Sequence, residues 1–276
     1  MIVAVFGGGG AKAAAHVGAW RALEEASLTP DHLIGTSMGA VFAAMFASGL
    51  DTAEVLRRIG AISDRDIVRA DRFAFLKGLW ARQLLQPAPF RAALERLVPA
   101  RRFSELVRPL VVTATALDTG ELVRFGPDGQ DAPLIDALYA SCALPIFFPA
   151  AVINGRRHAD GGLRAVLPLE PATLLPARLV VAIDVGPGFD EAPGASGPGL
   201  PPVVELHNEA DGILMAGQTA LALALWRASP NRPPLLYVRP RVKKGATFRV
   251  DEVRHYVEEG YRATRTALAG LQSGDS

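Results

Sequence analysis

Twice in its first 47 residues the chain repeats one order: a short apolar segment, then glycine, then a helical pattern. "IVAVF" at 2–6 is β-branched and aromatic, and it runs into four glycines at 7–10. From about Gly10 to Ala26, Ala13, Val17, Trp20 and Leu23 recur at spacings of three or four, the period of one helix face. Leu33 and Ile34 then lead into Gly35-Thr36-Ser37-Met38-Gly39, followed by an almost wholly apolar helix from Ala40 to Ala47. Parallel strands need a crossover between them, so strand, turn and helix in alternation point to an α/β domain with a largely parallel sheet.

The rest of the chain extends the pattern. "PLVVTATAL" (109–117), "ELVRF" (121–125) and "PLLYVRP" (234–240) read as strands, and "RLVVAIDV" (178–185) has the continuous apolar run of a buried parallel strand. "AVINGRRHA" (151–159) reads as a hairpin turning at Asn154-Gly155. Gly49 ends the second helix, and Asp51 with Glu54 three residues later forms a capping-box signature for a third. Residues 64–98 read as helical but mixed, 203–228 as a long helix and 251–271 as an amphipathic one. The Pro/Gly-rich stretch 186–202 reads as a mobile loop within a single domain spanning 1–276.

Composition narrows the partners. A net charge of +1 offers no broad field for nucleic acid. One cysteine, Cys142, permits no intrachain disulfide and fits a reducing compartment, with the cytoplasm as the expected location. The N-terminus lacks the basic region of a signal peptide, and no apolar run reaches the length of a membrane span. Contact with a bilayer surface stays open.

The glycine run at 7–10 admits three uses. Gly8, Gly10 and Ala13 satisfy the G-x-G-x-x-A of a dinucleotide site, but the acidic residue such a site wants after its second strand is missing, since Asp31 precedes that strand. The same amides at a helix start suit an oxyanion hole. The third use is a plain tight turn. Lys12 opposes the helix dipole in the first turn, which either a solvated lysine or one supporting an anionic site accounts for. Gly35-Thr36-Ser37-Met38-Gly39 fits G-x-S-x-G, the sharp strand-to-helix turn that pushes a serine hydroxyl out of the chain; the alternative is a packed Gly/Ser turn.

If Ser37 is a nucleophile, it needs a proton acceptor. His16 lies within the first helix and reads as structural, His32 precedes the elbow strand, and His207 and His255 sit on helices without catalytic punctuation nearby. His158 stands two residues before Asp160-Gly161-Gly162, a carboxylate on a tight turn that is also a common turn sequence. Cys142 sits in an apolar run and reads as a buried, inert thiol.

Taken together, "GGGGAKAAAHVGAWRALEE", "GTSMGA" and "SCALPIFFPAAVINGRRHADGG" resemble the motifs of the patatin-like phospholipases, in order and register over about the first 165 residues. The resemblance implies a three-layer α/β/α fold around a central, mostly parallel sheet. It implies a dyad without histidine: Ser37 as nucleophile and Asp160 as base, with Gly8, Gly9 and Gly10 as oxyanion donors. Lys12 matches the basic position of the first motif, and Gly35, Gly39, Gly161 and Gly162 support the two turns. The reaction implied is hydrolysis of phospholipid or neutral-lipid esters, with no metal and no cofactor. The chain departs from the family pattern at Ala13, where glycine is usual. Two other classes are weighed beside this one: a lipid-binding or regulatory protein with little turnover, and a dinucleotide-binding oxidoreductase. "FAFLKGLWARQLLQPAPF" (73–90) carries too many large apolar groups for one helix face, so part of it is expected to border the acyl pocket or meet lipid, with core packing as the bland alternative.

Overall fold

The structure, a computed structural model, describes residues 1–63, 83–127, 129–188, 202–242 and 252–273. Among these, eight strands form one sheet: β1 (Ile2–Phe6), β2 (His32–Thr36), β3 (Leu110–Ala116), β4 (Leu122–Phe125), β5 (Ala151–Ile153), β6 (Arg156–Asp160), β7 (Leu179–Ile183) and β8 (Leu235–Val238). The order is β5-β6-β3-β2-β1-β7-β8, with β4 on β3. From β3 to β8 every neighbouring pair is parallel, whereas β4, β5 and β6 join antiparallel. β1 lies between β2 and β7, and its five apolar residues are all buried.

Period-two alternation divides β1 between two cores. Ile2, Ala4 and Phe6 face the larger one, Val3 and Val5 the smaller. The larger core is packed by α1 (Ala15–Glu25), α2 (Met38–Ala47), α3 (Thr52–Gly60), α4 (Pro87–Leu97), α5 (Leu134–Cys142) and α7 (Val253–Ser273). Here Trp20 stacks on Phe46 with centroids 4.3 Å apart. The smaller core is closed by α6 (Pro202–Ala228) through Leu223 and Trp226, and by the connection carrying Leu167, Leu169 and Ala172. Helices therefore flank a central sheet on both faces, the layering the sequence predicts.

The register of β3 places the site. Val112 and Thr113 pair with β2 and also with β4, so those two strands lie on opposite edges. Ala114 and Thr115 pair with β4 and β6, so β6 is again opposite β4. β2 and β6 thus share one edge of β3 end to end, and they run toward each other. Thr36 ends β2 opposite Thr113, and Asp160 ends β6 opposite Ala114.

Several expectations change. The helix expected from Gly10 begins as a 3-10 turn over Gly10–Ala14 and becomes α-helical only at Ala15. Helix is not continuous over 64–98. Residues 64–82, which hold most of the 73–90 apolar stretch, lie outside the described residues, and Leu84 and Leu85 are not helical, their amides donating to the Ile146 and Phe147 carbonyls. Of that stretch, Leu85 and Phe90 are buried in the larger core. Of the 186–202 loop, residues 189–201 are outside the description and Pro202 already opens α6. Helix α5 was not foreseen, although Leu134, Leu138, Tyr139 and Cys142 carry helical spacing. The capping box is half made. The Asp51 carboxylate accepts from the Glu54 amide at 2.7 Å, while Glu54 turns to Arg57 and Arg58.

Candidate active site

The elbow is strained and held. Ser37, between β2 and α2, has φ 54° and ψ −135°, a region costing a non-glycine residue about 1–3 kcal/mol. The turn is so tight that a Cβ on Gly35 would lie 2.4 Å from Ala40 Cα, and one on Gly39 2.4 Å from the carbonyl oxygens of Phe6 and Gly7. Glycine at both positions lets α2 start against the end of β1. The Ser37 amide donates to Ser141 Oγ on α5 at 2.8 Å, and the Ser37 carbonyl accepts from Ala40 N at 2.9 Å.

The Asp160 turn closes on the same point. Ser37 Oγ donates to Asp160 Oδ2 at 2.7 Å, and Gly162 N donates to Asp160 Oδ1 at 2.7 Å. The Thr115 hydroxyl holds the Asp160 carbonyl at 2.9 Å. A Cβ on Gly161 would come within 2.6 Å of the Thr113 carbonyl, so the turn fits directly beside β3. Asp160 is 3 % exposed, and burial pushes its carboxyl up to about 6 against the opposing hydrogen bonds from Ser37 and Gly162.

A threonine pair ties the two turns together. Thr36 Oγ1 lies 2.5 Å from Thr113 Oγ1 and 3.0 Å from the Ala165 carbonyl, while Thr113 Oγ1 lies 3.2 Å from the Gly35 carbonyl. Three contacts share two hydroxyl protons. The shorter pair is served when Thr113 donates to Thr36 and Thr36 to Ala165, and Ala165 N in turn donates to Gly161 O at 2.8 Å.

The glycine loop passes over the serine. A Cβ on Gly8 would be 3.1 Å from Ser37 Cβ. The Gly8 amide is committed to the Val166 carbonyl at 2.9 Å, and Gly7 N to Ile183 O at 3.0 Å. Gly9 and Gly10 open the 3-10 turn, where the first amides have no partner within the helix. His16 secures the loop from below: its Nε2 is 2.9 Å from Gly7 O, and burial lowers its pKa to about 4, so a neutral ring donates from Nε2. Ala13 is fully buried in the larger core, and Lys12 is 7 % exposed, so Lys12 is no solvated surface lysine. Behind the loop, buried Asp184 accepts from Gly186 N, Tyr237 OH and Arg239.

The structure brings together Ser37, Asp160, the glycine loop and the flanking turn glycines. It leaves His158 apart from the serine hydroxyl. His158 is buried edge-on to Phe125, 5.4 Å between centroids, with no hydrogen bond to either ring nitrogen among the described residues, and burial lowers its pKa. Cys142 is buried as expected but lies beside the elbow; burial first, then the Asp160 charge, push its thiol up. Sequence reasoning missed Ser141, whose signal was its place on an unrecognised helix.

Comparison with known proteins decides the family. A model of patatin-like phospholipases matches residues 4–173. The chain belongs to the patatin-like phospholipase family. An uncharacterized NTE family protein of Mycobacterium tuberculosis is 30% identical over 201 residues, covering 71% of this chain and 53% of the relative. The chain thus spans about half the length of that relative. The patatin-like region is also similar to Lysophospholipase NTE1 of Kluyveromyces lactis, 24% identical over 97% of this chain and 19% of the yeast protein. Among solved structures, human GIVD cytosolic phospholipase A2 aligns with a TM-score of 0.49 at 12% identity, covering 99% of this chain and 58% of that one. VipD from Legionella pneumophila aligns with a TM-score of 0.46 at 14% identity, covering 98% of this chain and 66% of that one.

Proposed function

We propose that this patatin-like protein is a serine acyl hydrolase that cleaves carboxylic esters of lipids, with Ser37 as nucleophile and Asp160 as its base. The observation that carries the reading is the 2.7 Å hydrogen bond from Ser37 Oγ to Asp160 Oδ2, made by a serine held at positive φ. A carboxylate buried enough to titrate near 6 accepts a proton more readily than one at its ordinary 3.8.

Ser37 Oγ attacks the ester carbonyl as its proton passes to Asp160 Oδ2. The tetrahedral oxyanion is held by amides at the start of the Gly10–Ala14 turn, those of Gly9 and Gly10, with the N-terminus of α2 adding its dipole. Gly8, its amide committed to Val166, shapes the loop rather than donating. Collapse expels the alcohol, which takes the proton back from Asp160. Water, deprotonated by Asp160, then hydrolyses the acyl-serine and restores both groups. The substrate class follows from the family, and the preferred phospholipid or neutral lipid is part of the proposal.

The test is a fluorophosphonate followed by mass spectrometry, with hydrolysis of a short soluble ester measured in parallel. A single adduct on Ser37 and turnover lost in Ser37→Ala are expected. An adduct elsewhere, or turnover surviving in that variant, overturns the reading.

A further inference from the structure

Helix α6 has two unlike faces. Its inner face buries Ala216, Thr219, Leu223 and Trp226 at helical spacing. It also seats the Asp160 turn: Gln218 Nε2 donates to the Leu163 carbonyl at 2.9 Å, and a Cβ on Gly162 would lie 3.6 Å from Met215 Cε. From Glu205 to Met215 no residue is buried. At 1.5 Å per residue, roughly 16 Å of helix therefore lies half-buried or exposed beside the candidate site.

The outer face is apolar along its length. Leu206, Ile213, Leu214, Leu221 and Leu225 are 55% to 66% exposed. At 100° per residue they fall within one arc of about 120°, interleaved with Ala210, Gly217 and Ala224. Five such side chains expose on the order of 500 Å², in the upper part of the range for the largest apolar patch on a monomer, a patch that is often functional. From Gly212 to Trp226 there is no charged residue, and from Pro202 to Trp226 no lysine or arginine. The charges on the N-terminal half of α6 are acidic and lie on the flanks of this face: Glu205 and Glu209 on one side, and Asp211, paired with His207 at 3.2 Å, on the other.

We propose that the outer face of α6 is the surface by which this protein enters a neutral or zwitterionic lipid interface. The inference rests on the acyl-hydrolase reading for its purpose, since it places the Ser37–Asp160 pair at the edge of the lipid from which an ester would come. A lipid surface fits this face better than a second copy. Protein interfaces are anchored by Trp, Tyr and Arg inside a polar rim, and apart from His207 at its edge this face offers only leucine, isoleucine, alanine and glycine. The acidic flanks add repulsion from anionic headgroups, so binding is driven by apolar insertion and not by charge. No described helix is long and apolar enough to cross a membrane, so α6 lies along the interface.

Flotation with phosphatidylcholine vesicles tests this, using the full chain and the double variant Leu214→Glu/Leu221→Glu, with circular dichroism to check folding. The wild type should float, no more strongly when about a third of the lipid is anionic and no more weakly in high salt. The double variant should partition about tenfold less or weaker still, with hydrolysis of a short soluble ester unchanged. Leu214→Gln/Leu221→Gln should lie between the two. The proposal is overturned if the wild type stays in the aqueous fraction, if the variants float equally, or if anionic lipid is required. It is also overturned if light scattering shows a wild-type dimer that the double variant dissolves, because the face then joins two copies. A wild type that floats but hydrolyses no ester would leave this surface standing and remove the activity proposed above.

Discussion

The Ser141 hydroxyl, itself fully buried, accepts the Ser37 amide at 2.8 Å. Among the described residues it is the one side-chain support for the Ser37 backbone, which sits at positive φ, so in the proposed mechanism Ser141 positions the nucleophile without touching substrate. Ser141→Ala removes the partner of the Ser37 amide, at a cost of about 1 kcal/mol. We expect kcat to fall about tenfold or more with KM for a soluble ester little changed, and fluorophosphonate labelling of Ser37 to slow in parallel. Ser141→Thr keeps the oxygen and should recover most of the rate. Equal kcat in wild type and Ser141→Ala would show that the elbow holds itself.

The Asp160 carboxyl, pushed up to about 6 by burial, must be ionised to take the serine proton. The acid limb of kcat/KM should therefore rise with an apparent pKa near 6 instead of the ordinary 3.8. A pH profile on a non-ionising ester reads it directly. A limb centred near 4 would mean that the carboxylate is better solvated than its burial implies.

The same shift has a sign for stability. A carboxyl at about 6 in the folded state and near 3.8 unfolded binds more protons when folded, so the protein loses stability as pH rises between those values. By pH 7 the loss is on the order of 3 kcal/mol. Asp160→Asn removes the charge and keeps the shape. It should abolish turnover and raise the melting temperature at pH 7, with a smaller gain at pH 4. Differential scanning calorimetry at both values decides it, and a destabilised variant at pH 7 would contradict the burial argument.

His158 is the control for a histidine-containing triad. It faces Phe125 and does not touch Ser37 Oγ. His158→Ala should keep kcat/KM within about threefold while losing on the order of 2–3 kcal/mol of stability to the cavity beside Phe125. Loss of activity as complete as in Asp160→Asn, with the fold intact, would reinstate the triad.

Two glycines separate strain from space. A methyl at Gly39 meets the Phe6 and Gly7 carbonyl oxygens at 2.4 Å, whereas one at Gly60, in the last turn of α3, meets nothing within 4 Å. Gly39→Ala should prevent folding or abolish activity. Gly60→Ala should be neutral or stabilising by up to about 1 kcal/mol. Urea melts of the two variants give the contrast.

Much of this was legible in the chain because it is local. β1, the elbow, the Asn154-Gly155 hairpin and the Asp160 turn each announce themselves within ten residues through alternation or turn chemistry. What escaped depends on distant partners. That Gly8 gives its amide to Val166 is set by a carbonyl 158 positions later. Helix α5 hid because its apolar residues blend into the following "SCALPIFFP", and with it went Ser141. The apolar outer face of α6 was read as an ordinary long helix, since periodicity cannot tell a side buried by protein from one left open.

β2 and β6 meet end to end on one edge of β3, and this makes β3 a ruler for the chemistry. The gap between hydroxyl and carboxylate is set by two adjacent rungs, Thr113 and Ala114, not by the length of chain between them. Insertions or deletions in the intervening loops can accumulate without moving either group. A slip of either strand by a single rung would open the gap by about 3.3 Å and turn the strand's side chains to the opposite face. The proposed hydrolysis would therefore be a sensitive reporter of strand register, and a mispaired sheet would be silent even where its helices had formed.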